Sequence, residues 1–194
     1  MDPRSLEAAP KVALTAVVLI PPETIWEPIQ AIRSAHDPQF VRWMPHVTLL
    51  YPFVPETRLD EAAALLTPAA ATVEPFEATL ASFGHFVHGR GSATLWLRPE
   101  PSDRLIALQA ALAQAMPWCD DVGRFPGGFT PHLSVGRFPN RTQAEAMAER
   151  LLTTWTPLRF RALQVALIAR PGPPGAPFAV RTRLPLATGN PAEV

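Results

Sequence analysis

The sequence predicts an α+β fold: a bilobal, duplicated unit in which two antiparallel sheets line a central cleft and helices cover the outside. Three observations carry this expectation. A tetrapeptide of the form Pro-His-apolar-hydroxyl occurs twice, as Pro45-His46-Val47-Thr48 and Pro131-His132-Leu133-Ser134, with the histidines 86 residues apart (132 − 46). Short apolar runs alternate with segments of helical period, and the order of elements around the first tetrapeptide recurs around the second. The 194 residues are 47% hydrophobic, enough to build a core rather than a disordered chain.

Each element has its own signal. Residues 1–10 and 188–194 lack periodicity and read as disordered tails, leaving residues 11–187 as one bilobal domain without a flexible linker. Val12 to Ile20 is β-branched and apolar, a buried strand closed by Pro21-Pro22. Ile25, Ile29 and Ile32 share a helix face, with Pro28 in the first turn where its missing N–H costs nothing. His36 falls at the end of that helix. His46 to Tyr51 reads as a strand stopped by Pro52 and Pro55, after which Thr57 caps a helix bearing Leu59, Ala62, Ala63 and Leu66. Residues 75–84 and 93–98 form a hairpin around His88-Gly89-Arg90-Gly91-Ser92.

In the second half, Ser102 caps a helix whose apolar face is Leu105, Leu108, Leu112 and Met116, ending before Pro117. A Gly/Pro loop over 123–128 leads into a strand at 131–138. Asn140 with Gln143 makes a capping box for a helix marked by Ala144, Met147, Ala148, Leu151 and Leu152. Two strands, 158–169 and 178–186, close the chain around a Pro/Gly turn at 171–175.

Composition excludes several classes. Seventeen basic residues balance seventeen acidic ones, so no global field gathers nucleic acid. Lys11 is the only lysine, and the arginines suit bidentate phosphate contacts wherever they face a site; Arg42 precedes the first tetrapeptide, and Arg124 and Arg137 flank the second. No apolar run reaches the roughly 20 residues of a membrane span, and the first residues lack the layout of an export signal. The single cysteine, Cys119, excludes an internal disulfide and fits a reducing compartment. The expectation is a cytoplasmic monomer with no membrane partner.

Chemistry enters through strand geometry. Positions i and i+2 share a face, so His46 emerges with Thr48 and His132 with Ser134, while Val47, Leu49, Leu133 and Val135 turn to the core. Two such pairs facing across a pseudo-twofold axis leave room for one phosphate. One imidazole takes a proton from the nucleophile and the other gives one to the leaving oxygen; the two hydroxyls donate to the nonbridging oxygens. A metal is not expected, since two histidines supply only two ligands and neither tetrapeptide contains a carboxylate or thiol. His85 and His88 fall on opposite faces of the hairpin and read as surface or turn residues. Phe53, Phe125 and Phe129 are candidates for stacking on a base, with core packing as the alternative.

The motifs His46-Val47-Thr48-Leu49 and His132-Leu133-Ser134-Val135, each on a strand and separated by about half the chain, resemble the 2H phosphoesterase superfamily. The nearest branch is that of 2′-5′ RNA ligases and RNA 2′,3′-cyclic phosphodiesterases. The resemblance runs from about Val12 to Leu186 and implies metal-independent, cofactor-free opening of a 2′,3′-cyclic phosphate, on a nucleotide or RNA end, to a 2′-phosphate. It implies His46 and His132 as the acid–base pair and Thr48 and Ser134 as phosphate ligands; analogy favours His132 as base and His46 as acid, while the residues themselves do not separate the roles, which a reversible reaction would exchange. Five positions beyond each histidine, Tyr51 and Arg137 match places where the family often carries an aromatic or an arginine near the phosphate. Strand parity puts them on the wrong face unless a bulge intervenes. End joining through a 2′-5′ linkage, and a noncatalytic RNA- or nucleotide-binding module, are the alternative functions.

Overall fold

The computed structural model describes residues 3–125, 127–173 and 175–187. In order these form α1 (Pro3–Glu7), β1 (Thr15–Leu19), α2 (Trp26–His36), β2 (Val47–Leu50), α3 (Leu59–Ala70), β3 (Phe76–Val87), β4 (Ala93–Glu100), α4 (Ser102–Ala115), β5 (Leu133–Phe138), α5 (Arg141–Leu152), β6 (Leu158–Ala162), β7 (Gln164–Ala169) and β8 (Ala179–Pro185). The strands make two four-stranded sheets, ordered β2-β1-β7-β8 and β5-β4-β3-β6, with every pairing antiparallel. The two orders match position for position, and the strands that begin just after the two histidines, β2 and β5, are the matching edges.

The copies are not sequential halves. The hairpin β3–β4, which comes after the first helix pair in the chain, belongs wholly to the second sheet. The single strand expected over 158–169 breaks at the exposed Leu163 into β6 and β7, which lie in different sheets. Phe160 and Ala162 are buried against the second sheet, and then Val165 to Ala169 are buried in the first. The reason is periodicity: β6 alternates buried and exposed positions as an outer strand does, whereas β7 is buried at every position after Gln164, as an inner strand is.

One core joins both sheets to the helices. Val17, Leu19, Val47 and Leu49 meet Leu95, Leu97, Leu133 and Val135 through Ile29, Leu66, Leu105 and Leu112, and each fully buried leucine stabilises the fold by about 2 kcal/mol relative to exposure. A smaller cluster, Ala16, Val18, Ala166, Ile168 and Phe178, covers the opposite face of the first sheet, with Trp43, Met44 and Tyr51 packed on it. The helices cross over: α2 packs on β5 and α4 on β2, so each motif strand is backed by the helix that precedes the other. Gly136 permits the first of these contacts. A Cβ there would lie 2.9 Å from the His36 Cβ at the end of α2.

Several local expectations need correction. The N-terminal tail is docked: Pro3–Glu7 is helical, Leu6 is buried in the core, and Val12 bridges Phe53. Residues 1–2 and the tail expected at 188–194 lie outside the described residues. Thr57 sits inside a 3₁₀ turn before α3 and makes no cap. Ser102 opens α4, but the Glu100 carboxylate, at 2.8 Å, accepts its backbone N–H; its own side chain caps nothing. Asn140 does cap α5, its side chain accepting the Gln143 N–H at 2.9 Å.

Candidate active site

Both histidines are held by the same device. His46 Nδ1 donates to the Met44 carbonyl at 2.7 Å, and His132 Nδ1 donates to the Thr130 carbonyl at 2.8 Å, in each case two residues back. The bond fixes the ring and the tautomer, leaving Nε2 free to exchange a proton. On β2 and β5 the burial alternates as the sequence suggests. Val47, Leu49, Leu133 and Val135 are buried, while His46, Thr48, His132 and Ser134 remain partly accessible on the other face.

Aromatic rings wall both imidazoles. Trp43 stacks on His46 (4.7 Å between centroids) and on Phe178 (3.8 Å). Around His132, Phe86 stands edge-on at 4.9 Å and Trp96 lies at 6.1 Å. Trp96 lies flat across β3 because its cross-strand neighbour is Gly84, where a Cβ would fall 2.4 Å from the indole. Both rings are held below the ordinary imidazole pKa of 6.5, chiefly because burial disfavours the charged form. His46 is pushed down to about 4, with Arg33 and His132 adding charge repulsion and the Met44 carbonyl opposing the shift.

Arg33 is a part of the site that sequence reasoning missed. Although only 2% exposed, it is fully engaged: Nε pairs with Asp37 at 2.9 Å, Nη1 donates to Gln30 at 2.9 Å, and Nη2 to the Trp43 carbonyl at 2.8 Å. It therefore pins the loop that carries Trp43 and Met44, and through them His46.

Thr48 and His132, from different sheets, line one cavity of about 550 Å³. Phe86, Phe125, Phe129 and His88 complete its walls, along with the loop that leads into β5. His46 and Ser134 lie beside it on the same strand faces rather than in its lining. Phe125 is 68% exposed at the rim, whereas Phe53 is fully buried in the core. His88, read from sequence as a turn residue, faces this cavity, with Nε2 2.8 Å from the Thr94 hydroxyl; His85 points the opposite way, 3.7 Å from Glu145. Among the described residues no cluster of three His, Cys, Asp or Glu is placed to hold a metal ion.

The bulge that Tyr51 and Arg137 require is present in both lobes. Val17 pairs with Leu50 but Val18 with Thr48, leaving Leu49 extra; Leu95 pairs with Gly136 but Trp96 with Ser134, leaving Val135 extra. Two consecutive residues thus face the core, and position five returns to the histidine's face. Neither residue lines the cavity. Tyr51 stands edge-on to Trp43 at 5.7 Å, and Arg137 is exposed, its Nη2 3.2 Å from the Ser92 hydroxyl.

Comparison with known proteins fits this geometry. The family model described as the 2′-5′ RNA ligase superfamily matches residues 21–174. Escherichia coli LigT, solved with 3′-AMP, superposes with a TM-score of 0.59 at 19% identity over 90% of this chain and 98% of LigT. The TT0787 protein of Thermus thermophilus gives 0.59 at 20% identity over 91% of this chain and all of that one. Usb1 of Kluyveromyces marxianus gives 0.50 at 15% identity, covering 90% and 98%. The structural likenesses concern the fold, and the family model spans most of the chain, including both histidine motifs: this protein belongs to the 2′-5′ RNA ligase superfamily.

Proposed function

We propose that the protein is a metal-independent phosphodiesterase that opens a 2′,3′-cyclic phosphate, on a nucleotide or an RNA end, to a 2′-phosphate. The observation that carries this reading is the matched pair of histidines, each with Nδ1 tied to a carbonyl and Nε2 left free, from two strands whose Thr48 and His132 meet in one cavity. Water attacks phosphorus and gives its proton to His132 Nε2. The P–O3′ bond breaks, and His46 Nε2–H protonates the departing O3′. The reverse reaction exchanges the roles. Thr48 and Ser134 donate to the nonbridging oxygens as charge builds; Arg137, from the same strand face, meets the phosphate from outside, and Tyr51 acts through Trp43. The apolar, aromatic cavity beside the pair suits the base.

The test is hydrolysis of a nucleoside 2′,3′-cyclic phosphate with EDTA present. Activity should persist under chelation, and His46→Ala or His132→Ala should each lower kcat by about 10²- to 10⁴-fold, the usual worth of an acid–base group. A 3′-thio leaving group, which needs no proton, should rescue His46→Ala and leave His132→Ala inactive. Full activity in either alanine variant, or loss on chelation, refutes the mechanism.

A further inference from the structure

The cleft differs from end to end, and strand register orders it. In the first sheet one row runs from Thr48 through Val18 and Ala166 to Arg183. In the second, the face bearing Ser134 and Trp96 continues through Arg98 to Arg159 and Arg161 on β6. The aromatic cavity occupies the hairpin-tip end. At the other end Arg161 and Arg183, from the outer strands of the two sheets, line a cavity of about 370 Å³ floored by Ile20, Trp26, Met44 and Val180. Met44 is the residue whose carbonyl holds His46, so this cavity adjoins His46.

We propose that Arg161 and Arg183 form a second phosphate subsite, which holds the backbone of an RNA strand upstream of its reacting end. This rests on the proposed function, in which the reacting phosphate lies between His46 and His132. Three observations support it. Arg181, two positions before Arg183 on the same strand, pairs with Glu56 at 2.7 Å on the helix side, whereas Arg183 pairs with no carboxylate among the described residues. Arg161 is equally unpaired: Glu77 is its cross-strand neighbour but lies beyond ion-pair distance, and Glu23 is the one carboxylate in the cavity wall. Finally, Arg183 stands three strands from Thr48, about 14 Å at the usual strand spacing, a separation longer than one ribose-phosphate unit. Two unpaired guanidiniums over an apolar floor suit a phosphodiester, which each can meet with two parallel N–H donors.

The experiment compares a nucleoside 2′,3′-cyclic phosphate lacking a 5′-phosphate with a four-nucleotide RNA ending in the same group. The RNA should be preferred in kcat/KM by about tenfold, equivalent to roughly 1.4 kcal/mol of added binding. Arg161→Gln with Arg183→Gln should abolish that preference and leave the nucleoside substrate unaffected. Binding of the same RNA with a 3′-phosphate end, followed by fluorescence anisotropy, reads the subsite without turnover; its salt slope should fall by roughly 0.7 per lost contact in the variants. An unchanged preference or unchanged salt slope overturns the subsite. Failure of the protein to hydrolyse either cyclic substrate, with the binding slope still sensitive to the arginines, instead overturns the phosphodiesterase reading alone.

Discussion

At the scale of the residue, the site is two neutral imidazoles in aromatic walls. Because both pKa values are depressed, the unfolded chain binds more protons than the folded one between about pH 6.5 and the folded values. The resulting stability is fully present above about pH 6.5 and is lost as pH falls toward about 4 for His46. Thermal unfolding should show Tm falling across that window, with a shallower fall in a His46→Gln, His132→Gln double variant. The same depression shapes activity. In the proposed mechanism one ring is protonated and the other neutral, so kcat/KM should be bell-shaped with its maximum on the acid side of 6.5. Arg33 adds a separate prediction. Removing its charge as Arg33→Met leaves Asp37 unpaired and should destabilise by on the order of 3 kcal/mol, while raising the His46 pKa in an NMR titration. The spacing of Arg33 to Gln30 and Asp37 is local and helical, whereas its bond to the Trp43 carbonyl depends on how the loop folds back. That each histidine shares a strand face with its hydroxyl was legible because strand alternation is a purely local rule.

At the scale of the element, the matching bulges on β2 and β5 decide which face each residue beyond the histidines takes. Strand parity shows only that a bulge is needed; the register against β1 and β4 reveals where it falls, at Leu49 and Val135. Gly84 shows the same dependence on a neighbour. Its role is invisible until β3 and β4 pair, after which it gives Trp96 the room to lie flat beside His132. Gly84→Ala should displace the indole, shift tryptophan emission and destabilise by about 1–3 kcal/mol, as overpacking does. It should also lower kcat, since the wall of His132 moves. A variant with wild-type fluorescence and kcat contradicts this account.

At the scale of the molecule, the repeat predicted two similar sheets, and both exist, but the chain shares them out differently. Pairing partners more than a hundred residues apart decide this, and no local pattern records them: β1 lies between β2 and β7. The first sheet needs strands from both ends of the chain, and one core joins it to the second, so the lobes should unfold together, giving coincident denaturant transitions by fluorescence and circular dichroism. Truncation after residue 152 removes β6, β7 and β8 and strips one edge from β1 and one from β3; the product should be insoluble or unfolded rather than a working half.

The return of β7 and β8 to the first sheet has a consequence during synthesis. When the ribosome has released β2, the sheet that will bear His46 still lacks its inner partner strand, which begins 114 residues later (164 − 50). At a typical elongation rate of about 5–20 residues per second, the nascent β1–β2 pair waits roughly 6–23 s with an apolar edge open, while the second sheet's hairpin has already emerged. The second sheet thus has the opportunity to fold first and serve as the surface on which the first is completed, which makes the C-terminal strands the step at which chaperones would matter most.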